Sequence, residues 1–141
     1  MAVAVKRVYE PVSRADGVRV LVDRLWPRGL TKADAAVKFW LRDLAPSNEL
    51  RQWFHSRPDA WRMFRKRYLK ELTSPEGTAA VEKLYGLANS RKKLTLLYAS
   101  RNQERNNAVV LKELLEGTRK PPSSVGSAAL GRGRVRKTRK Q

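Results

Sequence analysis

Apolar residues fall into three short runs, separated by longer stretches in which they recur every three or four positions. Val3-Ala4-Val5-Lys6-Arg7-Val8-Tyr9 is short and partly alternating, and Glu10-Pro11 closes it, so it reads as a first strand. After Asp16-Gly17, the residues from Val18 to Leu25 form a richer second strand. Trp26-Pro27-Arg28-Gly29 ends it, because proline lacks a ladder donor and glycine loosens the backbone. Leu94 to Ser100 is nearly continuous in apolar residues, the pattern of a strand buried on both faces, as in parallel sheets. The eight residues between Tyr9 and Val18 are few for a parallel crossover and many for a hairpin, which leaves the pairing direction open.

The stretches between these runs have helical spacing. Thr31 is an N-cap candidate for a helix through Ala33, Ala35, Ala36, Phe39 and Trp40. Ser47 caps a second, with Leu50, Trp53 and Phe54 on one face and its end near His55. Pro58-Asp59 opens a third, whose stripe is Trp61, Phe64, Tyr68, Leu69 and Leu72, with Arg62, Arg65, Lys66 and Lys70 opposite. Ser74-Pro75-Glu76 starts a fourth, carrying Val81, Leu84, Leu87 and Ala88. Asn106-Asn107 precede a fifth, carrying Ala108, Val109, Leu111, Leu114 and Leu115, and Gly117 stops it. The expected fold is therefore α/β, a small, mainly parallel sheet of at least three strands packed with about five helices. One domain is expected over residues 1–117, and a disordered basic arm over 118–141.

Composition narrows the chemistry. At 141 residues with 41% hydrophobic composition the chain can build one ordinary core. No run approaches the roughly 18 apolar residues of a membrane span, and the start is too short for a signal peptide, so a cytoplasmic protein is expected. The absence of cysteine excludes disulfides, thiolate metal sites and cysteine nucleophiles, and one histidine leaves any metal to carboxylates. The formal charge is +18. Arg119–Gln141 holds eight Lys/Arg and no acid, so the remainder is basic as well. Such a field attracts polyanions, chiefly nucleic acid, and equally serves solubility. A helix-turn-helix regulator is disfavoured, since the most apolar segments are strands.

If the strands run parallel, Tyr9, the Asp23–Arg28 turn and the Ser100–Asn107 loop meet at their C-terminal ends, where open α/β sheets bind ligands. Arg24, Arg28 and Arg101, with the free amides of the helix starting near Asn106, would there hold a phosphate or carboxylate. Tyr9, Trp26 and Tyr98 would offer a stacking face, although Trp26 beside a proline reads equally as core. The arginines read equally as loop caps paired with carboxylates. Asp23, at the end of an apolar strand, is a general-base or metal-ligand candidate, or else a structural acid that fixes Arg28 or a loop amide. His55 reads as a capping or solvated side chain. The run Arg62-Met63-Phe64-Arg65-Lys66-Arg67-Tyr68 interleaves basic and aromatic residues as nucleic-acid binders do, and helical spacing explains it equally as a solvated face. No catalytic triad order, glycine-rich phosphate loop or metal-ligand spacing is present, and no cofactor is implied.

Lys6-Arg7-Val8-Tyr9, Asp16-Gly17, the run Val20-Leu21-Val22-Asp23-Arg24-Leu25-Trp26-Pro27-Arg28-Gly29, Pro46-Ser47 with Leu50-Arg51, Phe54-His55 and Leu94 to Ala99 form a recognisable set. Together they closely resemble the YeaO-like branch of the bacterial DUF488 family of domains of unknown function, over about residues 3–116. The resemblance implies an α/β fold with parallel strands, a short first crossover in place of a helix found in longer relatives, and a shared polar edge. That edge is built from the Trp26-Pro27-Arg28 turn and the loop after the last strand. Relatives tend to carry histidine where this chain has Asn107, which forms hydrogen bonds but cannot shuttle protons near neutral pH.

The leading expectation is a domain that binds an anionic ligand, a nucleotide or nucleic acid, through Arg24, Trp26, Arg28, Arg101 and Asn107, with the arm adding non-specific affinity. One alternative is an enzyme acting on nucleotides or nucleic acid, with Asp23 as base or metal ligand and Tyr9 or Ser100 assisting. Another is a structural or partner-binding protein.

Overall fold

The computed structural model describes residues 2–117, and the basic arm expected at 118–141 lies outside the described residues. Strands β1 (Ala2–Arg7), β2 (Val18–Leu21), β3 (Phe39–Trp40) and β4 (Lys93–Tyr98) form one parallel sheet in the order β1-β4-β2-β3. Helices α1 (Lys32–Ala35), α2 (Asn48–Ser56), α3 (Trp61–Glu71), α4 (Pro75–Ser90) and α5 (Asn107–Gly117) complete the α/β fold. Among the described residues no helix is long and apolar enough to cross a membrane.

Strands β1 and β2 never touch. β4 lies between them, with Ala4 and Arg19 both in register with Thr95. The connector at residues 8–17 therefore crosses over β4, which makes the pairing parallel as the resemblance implied and explains why its length suits neither a hairpin nor a neighbouring crossover.

Alternation along the strands divides the sheet into two unlike faces. Val3, Val20, Leu94, Leu96 and Tyr98 belong to the main core, together with Phe64, Tyr68, Val81, Leu84, Leu111 and Leu115 of the helices. Phe54 stacks on Phe64 with centroids 4.4 Å apart, and the fully buried Tyr68 donates its hydroxyl to the carbonyl of Leu44. The other face carries a smaller cluster of Val8, Leu21, Ala35 and Leu97, with Trp26 and Trp40 packed against it. Ser47 and Ser74 cap α2 and α4 by accepting from the N–H groups of Leu50 and Gly77.

A polar layer is buried on this second face, beneath the connector. Arg19, 4% exposed, donates to Asp16 at 2.6 Å and to the carbonyls of Ala35 and Ala36, and Lys6 donates to both oxygens of Asp16. Thr95 donates to the carbonyl of Asp16. Burial alone would raise the Asp16 carboxyl, but bonds from the Ser13 N–H, Lys6 and Arg19 outweigh it and hold Asp16 below the ordinary value of 3.8. Gly17 follows at φ +65°, and a Cβ there would lie 2.5 Å from the carbonyl oxygen of Lys93, so the connector reaches β2 only through glycine.

The first and last of the expected strands end two residues early, at Arg7 and Tyr98, the third helix starts at Trp61, and two further elements differ more. The helix expected from Thr31 to Trp40 starts as expected, with Thr31 accepting from the N–H of Asp34, but it ends at Ala35. Arg19 takes the Ala35 and Ala36 carbonyls, Ala36 turns to φ 50°, and Phe39-Trp40 pair with Val20-Leu21 as a fourth strand. The second strand, expected to reach Leu25, ends at Leu21, because beyond the bond from the Val22 N–H to Leu97 the chain turns away to form the sheet edge.

Replacing Arg19 with methionine keeps a long side chain but removes one of the cations on buried Asp16 and the side-chain donor to two carbonyls. Urea unfolding should show a loss of about 3–5 kcal/mol, and a loss below 1 kcal/mol would show that the pair is dispensable. Because folding lowers the Asp16 pKa, its contribution is complete above the ordinary aspartate range and fades as pH falls through the lowered value. Asp16→Asn should therefore be less stable at neutral pH and lose less on acidification than the parent, as followed by unfolding across pH.

Candidate functional site

Strands β1, β4 and β2 end together, and the chain beyond each builds the rim of the sheet's C-terminal edge. Arg7 ends β1 and Tyr9 lies two residues on, in the turn that the Glu10 N–H closes by donating to the Arg7 carbonyl, and the two side chains act as a unit. The Arg7 guanidinium sits 4.9 Å from the centre of the Tyr9 ring, and its Nε donates to the carbonyls of Ala99 and Ser100. Tyr9 is 40% exposed, and its hydroxyl donates to the Arg28 carbonyl at 2.8 Å. The edge thus fastens the ends of β1 and β4 to the backbone of the Trp26-Pro27-Arg28 turn, and Arg28 and Arg101 are both exposed.

The loop after β4 is organised by its asparagines. The Asn102 side chain accepts from the N–H groups of Glu104 and Arg105, and the Asn102 backbone N–H donates to the Ser100 hydroxyl. Asn106, whose side chain donates to the Asn102 carbonyl, caps α5 by accepting from the N–H of Val109. The start of α5 is thereby buried and partly capped, so its amides do not join Arg28 and Arg101 on the open rim as the sequence had suggested.

Asp23 is not a free acid. One oxygen accepts from the Ala99 N–H at 2.8 Å and the other from the Asn107 side chain at 3.1 Å, while Asn107 also donates to the Val22 carbonyl. Burial pushes the Asp23 carboxyl above its ordinary value, although these two hydrogen bonds and the charge of Arg51 pull it down. The arrangement joins the ends of β2 and β4 to the first residue of α5, which is the structural role weighed for Asp23.

Arg24 and Trp26 stand apart from the rim. Arg24 turns toward the helices, where it donates to the Ala45 carbonyl and lines a cavity of about 420 Å³ with Asp43, Ser47, Glu71, Ser74 and Glu76. Its Nε is buried without a partner among the described residues. Trp26 packs edge-on against Trp40 at 5.4 Å and donates to the Leu30 carbonyl, while Trp40 donates to the Asp23 carbonyl. Tyr98, 2% exposed, belongs to the core and offers no stacking face. The structure therefore brings together Tyr9 with the backbones of Arg28 and Ser100 on the rim, with Arg101 exposed next in the loop, and Asp23 with Asn107 beneath it. Arg7 was missed as a site residue, because the turn at Val8–Tyr9 that brings its guanidinium beside the ring leaves no mark in the strand-like pattern of the sequence. His55 is exposed in the last turn of α2, and among the described residues no cluster of acids or histidine has metal-binding geometry.

These features define a small parallel α/β domain whose strand ends carry an arginine- and tyrosine-lined rim over a closed carboxylate–amide layer. The family model described as "Inactive DUF488-N3 subclade" matches residues 2–126, and the chain belongs to this family. It is 44% identical over 115 residues to "Uncharacterized protein Rv3073c" of Mycobacterium tuberculosis, covering 82% of this chain and 94% of that protein. It is 43% identical over 115 residues to "Uncharacterized protein YeaO" of Escherichia coli, covering 82% and 97% respectively. The resemblance first carried by the Asp23–Gly29 run thus extends along nearly all of the described chain. No solved structure matches it.

Carbon-detected NMR of the carboxyl groups should place the Asp23 midpoint above 3.8. Asn107→Ala removes a bond that favours the carboxylate and should raise that midpoint further, whereas an unchanged midpoint would separate the two residues energetically.

Proposed function

We propose that this protein binds an anionic, phosphate-bearing ligand, a nucleotide or the phosphate end of a nucleic acid, on the rim formed by Arg7, Tyr9, Arg28 and the Ser100–Arg101 loop. The observation that carries this reading is the Tyr9 ring, exposed, flanked by the Arg7 guanidinium and tied by its hydroxyl to the backbone of Arg28. A flat aromatic face suits a base or sugar, and arginine forks suit phosphate oxygens. Trp26 holds the turn through its bond to the Leu30 carbonyl and Asn107 ties the start of α5 to Asp23 beneath the rim, while Arg24, bound to the Ala45 carbonyl, is left out of the site.

Binding is favoured over turnover for two reasons. Both oxygens of Asp23 already accept hydrogen bonds, so its capacity to take a substrate proton is reduced. The matching family model also describes its subclade as inactive.

Calorimetric titration of the full chain with a nucleoside triphosphate at low salt tests the reading. Arg28→Ala should weaken binding roughly tenfold, the loss of one charge-assisted contact, with no change in thermal midpoint because the side chain is exposed. Equal affinity in the parent and the variant would remove the rim from consideration.

A further inference from the structure

The outer face of α3 is a second concentration of cations, built from elements that take no part in the rim. Arg62, Met63, Lys66, Arg67 and Lys70 are all exposed, and the acid that closes the helix, Glu71, is engaged by the backbone and hydroxyl of Ser47. Arg62, Lys66 and Lys70 have no ion-pair partner among the described residues, whereas Arg65, at the side of the helix, pairs with Glu113. Spacing of four residues sets these three cations in a row at steps of about 6 Å along the axis.

An aromatic ring and a groove lie beside this row. Arg67 sits 4.4 Å from the centre of the half-buried Trp53 ring on α2, and both line a cavity of about 710 Å³ with Lys70, Leu50, Thr73 and Ser74. Ser47, Glu71 and Ser74 also line the neighbouring cavity, which contains Arg24 and its unpartnered Nε, so the two cavities adjoin. Glu49 and Glu71 are the acids of the larger cavity, and Asp43, Glu71 and Glu76 those of the smaller.

We propose that this face binds single-stranded nucleic acid, with the backbone following Arg62, Lys66 and Lys70 and an unpaired base entering the groove against Trp53 and Arg67. A row of point charges beside one accessible ring fits a strand whose bases are free to turn outward, because every base presents a π-face. A duplex would present phosphates to the row but no base to the ring. The site is independent of the ligand rim at the sheet edge and adds an extended partner to it.

The test uses the full chain and a labelled short oligothymidylate, with anisotropy measured across a salt series and tryptophan quenching alongside. Arg62→Gln combined with Lys66→Gln and Lys70→Gln keeps helix-forming residues at exposed positions, so the thermal midpoint should hold. Affinity at low salt should fall tenfold or more, and the slope of log affinity against log salt should shrink by about two, the share of three single-strand phosphate contacts. Trp53→Phe, which retains an aromatic side chain, should weaken binding several-fold and remove part of the quenching, and a duplex of the same length should quench less than the single strand. Unchanged affinity and slope in the triple variant, equal quenching by duplex, or no binding at low salt would each overturn the proposal. Arg28→Ala distinguishes the two sites. Loss of oligonucleotide binding there, with the triple variant unaffected, would assign the strand to the rim and leave the α3 face without a role.

Discussion

Strand β2 carries a guanidinium into the protein at Arg19, and that buried cation must be satisfied before the sheet can close. Asp16 supplies the charge, the carbonyls of Ala35 and Ala36 take most of the remaining donors, and Lys6 approaches Asp16 from β1. A single layer thereby fixes three things that are distant in sequence: the path of the connector over β4, the end of α1, and the placement of β3 beside β2. An apolar replacement of the whole layer could be as stable, since buried ion pairs seldom stabilise more than good packing does. What the layer provides is geometry, because its bonds are satisfied in one arrangement of connector and strand.

The shape of the candidate edge follows from the asymmetry of the sheet. Helices α3, α4 and α5 supply the main core on one face, while the other is covered by the connector, α1 and the Trp26–Leu30 turn. The chain therefore passes over the strand ends on that side through short polar segments, and these segments carry Tyr9 and Arg28. Beneath them, Asp23 and Asn107 tie β2 to α5, so the rim stands on a closed network. Asp23 has the raised pKa expected of a catalytic acid, yet the same burial that raises it also encloses it.

Much of this architecture was legible because hydrophobic period records burial directly. β4 reads as a strand covered on both faces since both of its faces are covered, and Ser47 and Ser74 announce α2 and α4 because serine oxygens satisfy helix N–H groups. β3 was hidden. Ala33 to Ala36 favours helix locally, and the agent that ends the helix, Arg19, lies sixteen residues earlier in the chain. The gathering of Tyr9, Arg28 and Ser100 followed from parallel strands alone, whereas the direction in which each side chain turns did not. Arg24 and Trp26 lie two residues apart, and Arg24 turns to the helices while Trp26 packs on the opposite face, a division set by the bond to Ala45 and the packing against Trp40.

The central claim is that the folded rim, built on the Arg19 and Asp23 networks, holds an anionic ligand. Backbone amide NMR of the full chain, titrated with a nucleoside triphosphate at moderate salt, tests it most directly. The account predicts shifts concentrated at Tyr9, Arg28 and residues 100–105, with the amides around Ala45 undisturbed. Shifts confined to residues 118–141, or centred on Ser47 and Ser74, would contradict it.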